Sequence, residues 1–176
     1  MKYFKKLEGE RIYLSPIHPD DIEIYAKWLN DAKITQFLTI HNSYVTLGGE
    51  KEFVESTQKE EFVFGIINKE TDTLMGNIGL TKFDYKGGTA ELGIFIGDEE
   101  NLGKGYGSEA IKLLVKFGFE ELRLHNIMLT VYDFNERAQK AYKKCGFKEF
   151  GRRHEARFFN GKYHDIVYME IINPNI

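Results

Sequence analysis

The chain has 176 residues, 42% of them apolar and 29% charged, an ordinary globular composition with room for a substantial core in one domain spanning 1–176. Its formal net charge of −3 excludes the basic excess of a nucleic-acid binder and is compatible with a cationic substrate. A single cysteine, Cys145, excludes an intrachain disulfide and a multi-cysteine metal site, and the histidines at 18, 41, 125, 154 and 164 lack ligand spacing, so no metal is expected.

Met1 to Lys6 lead into Leu7-Glu8-Gly9-Glu10 and not into a long apolar run, so the chain reads as cytoplasmic, without signal peptide or membrane span. Arg11 to Leu14 alternates polar and apolar residues and predicts a first strand, ended by Ser15-Pro16. Pro19-Asp20-Asp21 opens a helix carrying Ile22, Tyr25, Ala26 and Leu29 at helical spacing, with Trp28 beside them. A short helix through Ile34, Phe37 and Leu38 follows. After a loop at His41 to Tyr44, Glu50 to Lys59 forms another, with Phe53 and Val54 facing inward.

Fourteen Phe and ten Tyr favour sheet-rich packing around an aromatic core. Phe62 to Ile67, Leu74 to Phe83 and Thr89 to Ile96 predict three strands of an antiparallel meander, the last two joined at Gly87-Gly88. A helix from Tyr106 to Leu122 presents Ala110, Leu113, Leu114 and Phe117 on one face. Asn126 to Val131 is a strand, and Asn135 caps a helix that stops at Gly146. A terminal hairpin, Phe147 to Phe158 and Tyr163 to Ile171, turns at Asn160-Gly161.

Between the third meander strand and the long helix lies Leu102-Gly103-Lys104-Gly105-Tyr106-Gly107-Ser108. Glycine lets backbone approach a ligand, and a helix N-terminus offers unpaired N–H groups, so this loop is a candidate phosphate seat. Gly105-x-Gly107-x-x-Ala110 also fits the dinucleotide fingerprint. A dinucleotide fold would place that loop after an early parallel strand and repeat the βαβ unit, which this order of elements does not do.

The order strand, glycine loop, helix, strand, Asn-headed helix and Tyr142-x-x-x-Gly146-Phe147 resembles the acetyl-CoA-binding core of the GNAT superfamily of N-acetyltransferases. The amino end, from Arg11 to Leu38, and the ending Gly161 to Ile171 resemble the RimJ/RimL branch, the ribosomal-protein N-terminal acetyltransferases. The resemblance implies an α+β GNAT fold: a mixed, mostly antiparallel sheet of about seven strands flanked by helices, with a splayed parallel pair as the acetyl-CoA wedge. It implies acetyl-CoA as cosubstrate and an amine acceptor, foremost a protein N-terminal α-amine, with a polyamine, amino sugar or amino acid as alternatives. A non-catalytic CoA-binding sensor or assembly module is the reading from another class. The chain departs from the family's phosphate signature at Leu102, where Gln or Arg is the rule.

By the same resemblance, backbone groups of Ile94, Phe95 and Ile96 pair with the pantetheine, the loop from Leu102 through Gly103, Lys104, Gly105, Tyr106 and Gly107 to Ser108 takes the pyrophosphate, and Asn135, Ala138 and Tyr142 touch the cofactor. Tyr142 is the candidate general acid toward the CoA sulfur. Glu91 is the candidate base, since a carboxylate inside an apolar strand needs a reason to be there; lying on a solvent face or binding a substrate cation are its other readings. The demand on a base depends on the acceptor: an α-amine of pKa about 7.8 is roughly a quarter neutral near pH 7.4, a lysine-like amine about 0.1%. Cys145 reads as a bystander thiol, and Asp98-Glu99-Glu100 as a solvated acidic turn. Acceptor loops are expected at Thr39 to Lys51 and Arg152 to Asn160, with His41, Tyr44, Phe83, Tyr85 and His154 as wall candidates. The chain is a monomer or homodimer, the exposed hairpin strand being a pairing edge.

Overall fold

The computed structural model describes residues 2–40, 43–60 and 62–175. Eight strands form one sheet: β1 (Leu7–Glu8), β2 (Ile12–Pro16), β3 (Phe62–Asn68), β4 (Leu74–Asp84), β5 (Thr89–Ile96), β6 (Asn126–Tyr132), β7 (Lys148–Phe159) and β8 (Lys162–Ile172), in the order β1-β2-β3-β4-β5-β6-β8-β7. Helices α1 (Ile22–Leu29), α2 (Ala32–Thr35) and α3 (Leu47–Glu60) lie between β2 and β3; α4 (Tyr106–Glu120) and α5 (Glu136–Lys144) flank β6 in sequence. The mixed, mostly antiparallel sheet flanked by helices is as expected, with eight strands among the described residues in place of about seven. The extra one is β1, two residues paired with β2 through Leu7–Leu14 and Glu8–Tyr13, too short to leave a periodic signal.

Side-chain alternation along the inner strands divides the core in two. Ile12, Leu14, Phe64 and Ile66 turn to one face, where Ala110, Ile111, Leu114 and Val115 of α4 cover them. Tyr13 and Ile67 turn to the other, against Tyr25 and Trp28 of α1 and Val54 of α3. Burying each large aliphatic side chain contributes about 1.5–3 kcal/mol, so α4 holds its place by packing more than by helix propensity. Expected elements differ at their ends. Pro19–Asp21 is a 3-10 turn before α1, and α3 begins at Leu47 because Thr46 caps it, its Oγ accepting from Gly49 N at 3.0 Å. The hairpin turns at Asn160 (φ 48°) and Gly161 (φ 79°), the pair of left-handed residues that a two-residue turn needs.

One feature of the ladder positions the site. β5 pairs with β4 along its length from Thr89 to Ile96, but runs parallel to β6 only at Thr89–Asn126, Ala90–Ile127 and Glu91–Met128. From Leu92 on, β5 stays with β4 while β6 stays with β8 through Tyr132–Ile166, so the sheet splits. The backbone groups on the free edge of β5 have no strand partner there. Trp28 closes the far end of β5: its indole donates to Asp98 Oδ1 at 3.2 Å and lies so close to Gly97 that a Cβ there would sit 2.1 Å from the ring.

Candidate active site

The split opens into a cleft of about 1760 Å³, ample for a large cosubstrate and an acceptor together. Its walls are the free edge of β5, the loop Glu99 to Ser108, one face of α5, residues 33–40 around α2, and the start of α3.

At one end sits the glycine loop. Gly103 (φ 74°) and Gly105 (φ 87°) adopt left-handed backbone that a side chain would strain, and a Cβ on Gly103 would meet nothing within 4 Å. Gly105 caps α4 without a side-chain hydrogen bond. The N–H groups from Gly103 to Ser108 have no acceptor among the described residues, an array suited to a pyrophosphate. Leu102 lines the cleft through its side chain, its N–H being already donated to Glu99 O at 3.0 Å. Neither Lys104 nor Tyr106 lines the cleft; Lys104 is exposed and the Tyr106 ring packs against the core under the Arg11 guanidinium.

A network absent from the sequence reading holds this loop. Glu109 accepts from Arg11 N at 2.8 Å, Arg11 Nε at 3.1 Å and Ile12 N at 3.3 Å, and Arg11 Nη1 donates to Lys104 O at 2.9 Å. Glu109 is partly desolvated, yet these donors hold its carboxyl below the usual range. The network ties the start of α4 to β2 and leaves the loop amides facing the cleft. Glycine at position 9 is needed beside it, because a Cβ there would lie 2.6 Å from Glu109 Oε1.

Along the middle of the cleft lie Ile94, Phe95 and Ile96 on the free edge and, opposite, Asn135, Ala138 and Tyr142 of α5. Asn135 Oδ1 accepts from Ala138 N at 3.2 Å, which commits that oxygen to capping and leaves the amide nitrogen to the cleft. Tyr142 is 9% exposed, and burial pushes its phenol up to about 12, so it keeps its proton through the physiological range. Cys145 donates to Ser108 O at 3.5 Å; burial raises its thiol, which makes it a poor nucleophile.

Toward the other end, Glu91 lines the cleft and its Oε2 pairs with Lys82 Nζ at 2.8 Å. Lys82 lies at a register shift in β4 with φ 50°. The start of α3 adds Glu50, which is 4% exposed. Burial alone raises its carboxyl, and no donor among the described residues reaches it. Of the expected wall residues, Tyr44 lines the cleft and is 84% exposed, and Thr39 to Glu50 contributes much of this end. Phe83 and Tyr85 do not; they stack on each other at 5.4 Å, with Phe62 against Phe83. His154 pairs with Asp165 at 3.1 Å away from the cleft, and no residue of Arg152 to Asn160 lines it. Phe53 is 43% exposed and borders the cleft, whereas Val54 is the inward residue of α3. His41 lies outside the described residues. Asp98 is engaged by Trp28, while Glu99 and Glu100 are exposed as a solvated turn would be.

A mixed sheet split at its parallel pair, with a glycine cradle at the helix facing the split, defines a CoA-dependent acyltransferase. The chain belongs to the GNAT family: residues 11–148 match the Acetyltransferase (GNAT) domain. It is an N-acetyltransferase, and enzymes of this family use acetyl-CoA. The chain is 32% identical over 179 residues to "Probable N-acetyltransferase YjcK" of Bacillus subtilis, covering 96% of this chain and 98% of that one. It is 32% identical over 134 residues to spermidine N(1)-acetyltransferase of Vibrio cholerae, covering 76% and 69%. The crystal structure of spermidine N-acetyltransferase from Vibrio cholerae in complex with CoA and spermine superposes with a TM-score of 0.84 at 26% identity, over 93% of this chain and 96% of that one. Among the described residues no helix is long and apolar enough to cross a membrane, and no cluster of His, Cys, Asp or Glu could hold a metal ion.

Proposed function

We propose that residues 1–176 work as one domain that transfers the acetyl group of acetyl-CoA to a primary amine by direct attack in a ternary complex. The observation that carries this reading is the convergence of a proton donor, Tyr142, and a carboxylate, Glu91, on one cleft whose middle wall is the unpaired edge of β5. The amides from Gly103 to Ser108 seat the pyrophosphate, and the edge of β5 at Ile94 to Ile96 pairs with the pantetheine and polarises the thioester carbonyl. Glu91 accepts the proton of the incoming ammonium, directly or through one water; the neutral amine attacks the carbonyl carbon, and the C–S bond breaks. Tyr142 delivers its phenolic proton to the departing thiolate, and the second proton, shed by the acylated nitrogen, restores the phenol.

The acceptor is a primary amine. The likeness of the amino end to the RimJ/RimL branch supports a protein N-terminal α-amine, in a cytoplasmic enzyme. The Vibrio relative acting on spermidine supports a small amine as the second reading. A CoA-release assay over peptides with free N-termini, polyamines, amino sugars and amino acids tests the proposal. Turnover that requires an amine and falls in Glu91→Gln near neutral pH is expected, by about 10²-fold for a lysine-like amine and a few-fold for an α-amine, with the deficit shrinking as pH rises and the amine deprotonates unaided. CoA binding without turnover on any amine would instead identify a sensor module.

A further inference from the structure

Buried carboxylates are ordinarily paired, because removing a charge from water without a partner is costly. Glu50 has no such partner among the described residues, and its carboxylate oxygens open to solvent on the cleft. It is 4% exposed, and no hydrogen-bond donor or cation among those residues reaches it. Neither the hydrogen-bonding nor the dipole account of an acid in the first turn of a helix explains it. Thr46 already caps α3, accepting from Gly49 N with Oγ1 and from Glu50 N with its carbonyl. An exposed acid would serve the helix dipole equally well without the desolvation cost. The buried Tyr25 hydroxyl, whose proton is retained chiefly by burial, has no partner either. The cleft is the side from which a cation can reach this carboxylate.

We propose that Glu50 is the anchor for a second cationic nitrogen of the acceptor, so that the acceptor is a di- or polyamine whose distal ammonium sits on Glu50 while its reacting amine is presented to Glu91. This rests on the amine-acetylation reading above and takes its second acceptor class, the small amine, over the protein N-terminus. The two carboxylates lie on separate elements, the start of α3 and the middle of β5, and border the same cleft. Glu91 already has Lys82 beside it, so an arriving ammonium exchanges with an exposed lysine there, whereas at Glu50 it meets an uncompensated charge. Discrimination between a diamine and a monoamine therefore falls to Glu50.

Calorimetric titration of the CoA-loaded protein, which cannot turn over, with butane-1,4-diamine and n-butylamine tests this. The diamine is expected to bind at least about tenfold more tightly, and Glu50→Gln is expected to erase that preference. The same variant is expected to melt at a higher temperature, since it removes a buried charge that nothing in the protein offsets; a structural carboxylate would give the opposite shift. Equal affinities in the unaltered protein, undetectable diamine binding, or a preference that survives Glu50→Gln would overturn the proposal. Diamine preference with no acetylated amine on adding acetyl-CoA would support Glu50 as a cation anchor and contradict acetyl transfer, so the two readings fail separately.

Discussion

The two ends of the cleft are built from different atoms. At the glycine loop the chemistry belongs to the backbone: amides from Gly103 to Ser108, two left-handed glycines, and a side-chain network of Arg11 and Glu109 that only holds the loop. At the far end it belongs to side chains on unrelated elements: Glu50 of α3, Glu91 of β5, Tyr44 of the preceding loop. A backbone cradle accepts one ligand shape and tolerates sequence change as long as the glycines stay, which is why Leu102 can replace a polar residue. A side-chain wall can be re-addressed by one substitution. The cofactor end thus defines the family, and the acceptor end defines the member.

The largest expected effect breaks the backbone end alone. A Cβ at Gly107 would lie 3.7 Å from Ile94 Cδ1, ordinary contact, so Gly107→Ala fits the fold but narrows the approach of a ligand to the loop amides. Calorimetry should show acetyl-CoA binding weakened about tenfold or more, with the melting temperature little changed. Loosening the same end from behind should cost less. Arg11→Ala removes the tether on Lys104 O and one partner of Glu109, and should raise the Kd for acetyl-CoA about threefold to tenfold without altering the rank order of amines. A change of acceptor preference in that variant would show the ends to be coupled.

The smallest effect concerns stability. The Tyr142 phenol sits near 12 when folded and near 10 when unfolded, so unfolding releases a proton between those values. Its contribution is fully present below pH 10 and is lost as pH rises toward 12, about 2–3 kcal/mol in all. Tyr25, raised for the same reason of burial, adds to the loss. Denaturant titrations at rising pH should therefore show a shallower alkaline decline in Tyr142→Phe than in the unaltered protein.

Legibility in sequence follows the same division. The glycine loop, the Asn135 cap and the Asn160-Gly161 turn were readable because special backbone geometry demands special residues at fixed offsets. The split between β5 and β6 entered through resemblance to a known core, since no local pattern encodes where two strands part. Arg11 and Glu109 are 98 positions apart, and each alone reads as a surface charge. Glu50 was the least visible. Gly48-Gly49-Glu50-Lys51-Glu52 looks like a solvated polar run, and only tertiary packing turns one of its acids inward. Phe53 misled for the converse reason, an aromatic that borders the cleft beside Val54, the true core residue.

Steady-state kinetics of Tyr142→Phe, with calorimetry of acetyl-CoA on the same protein, tests whether proton donation and acylation occur in this cleft. Phenylalanine keeps the buried ring and deletes only the donor. A fall in kcat of about 10²-fold with the acetyl-CoA Kd unchanged is expected. An unchanged kcat would contradict proton donation there and return Tyr142 to the core as packing.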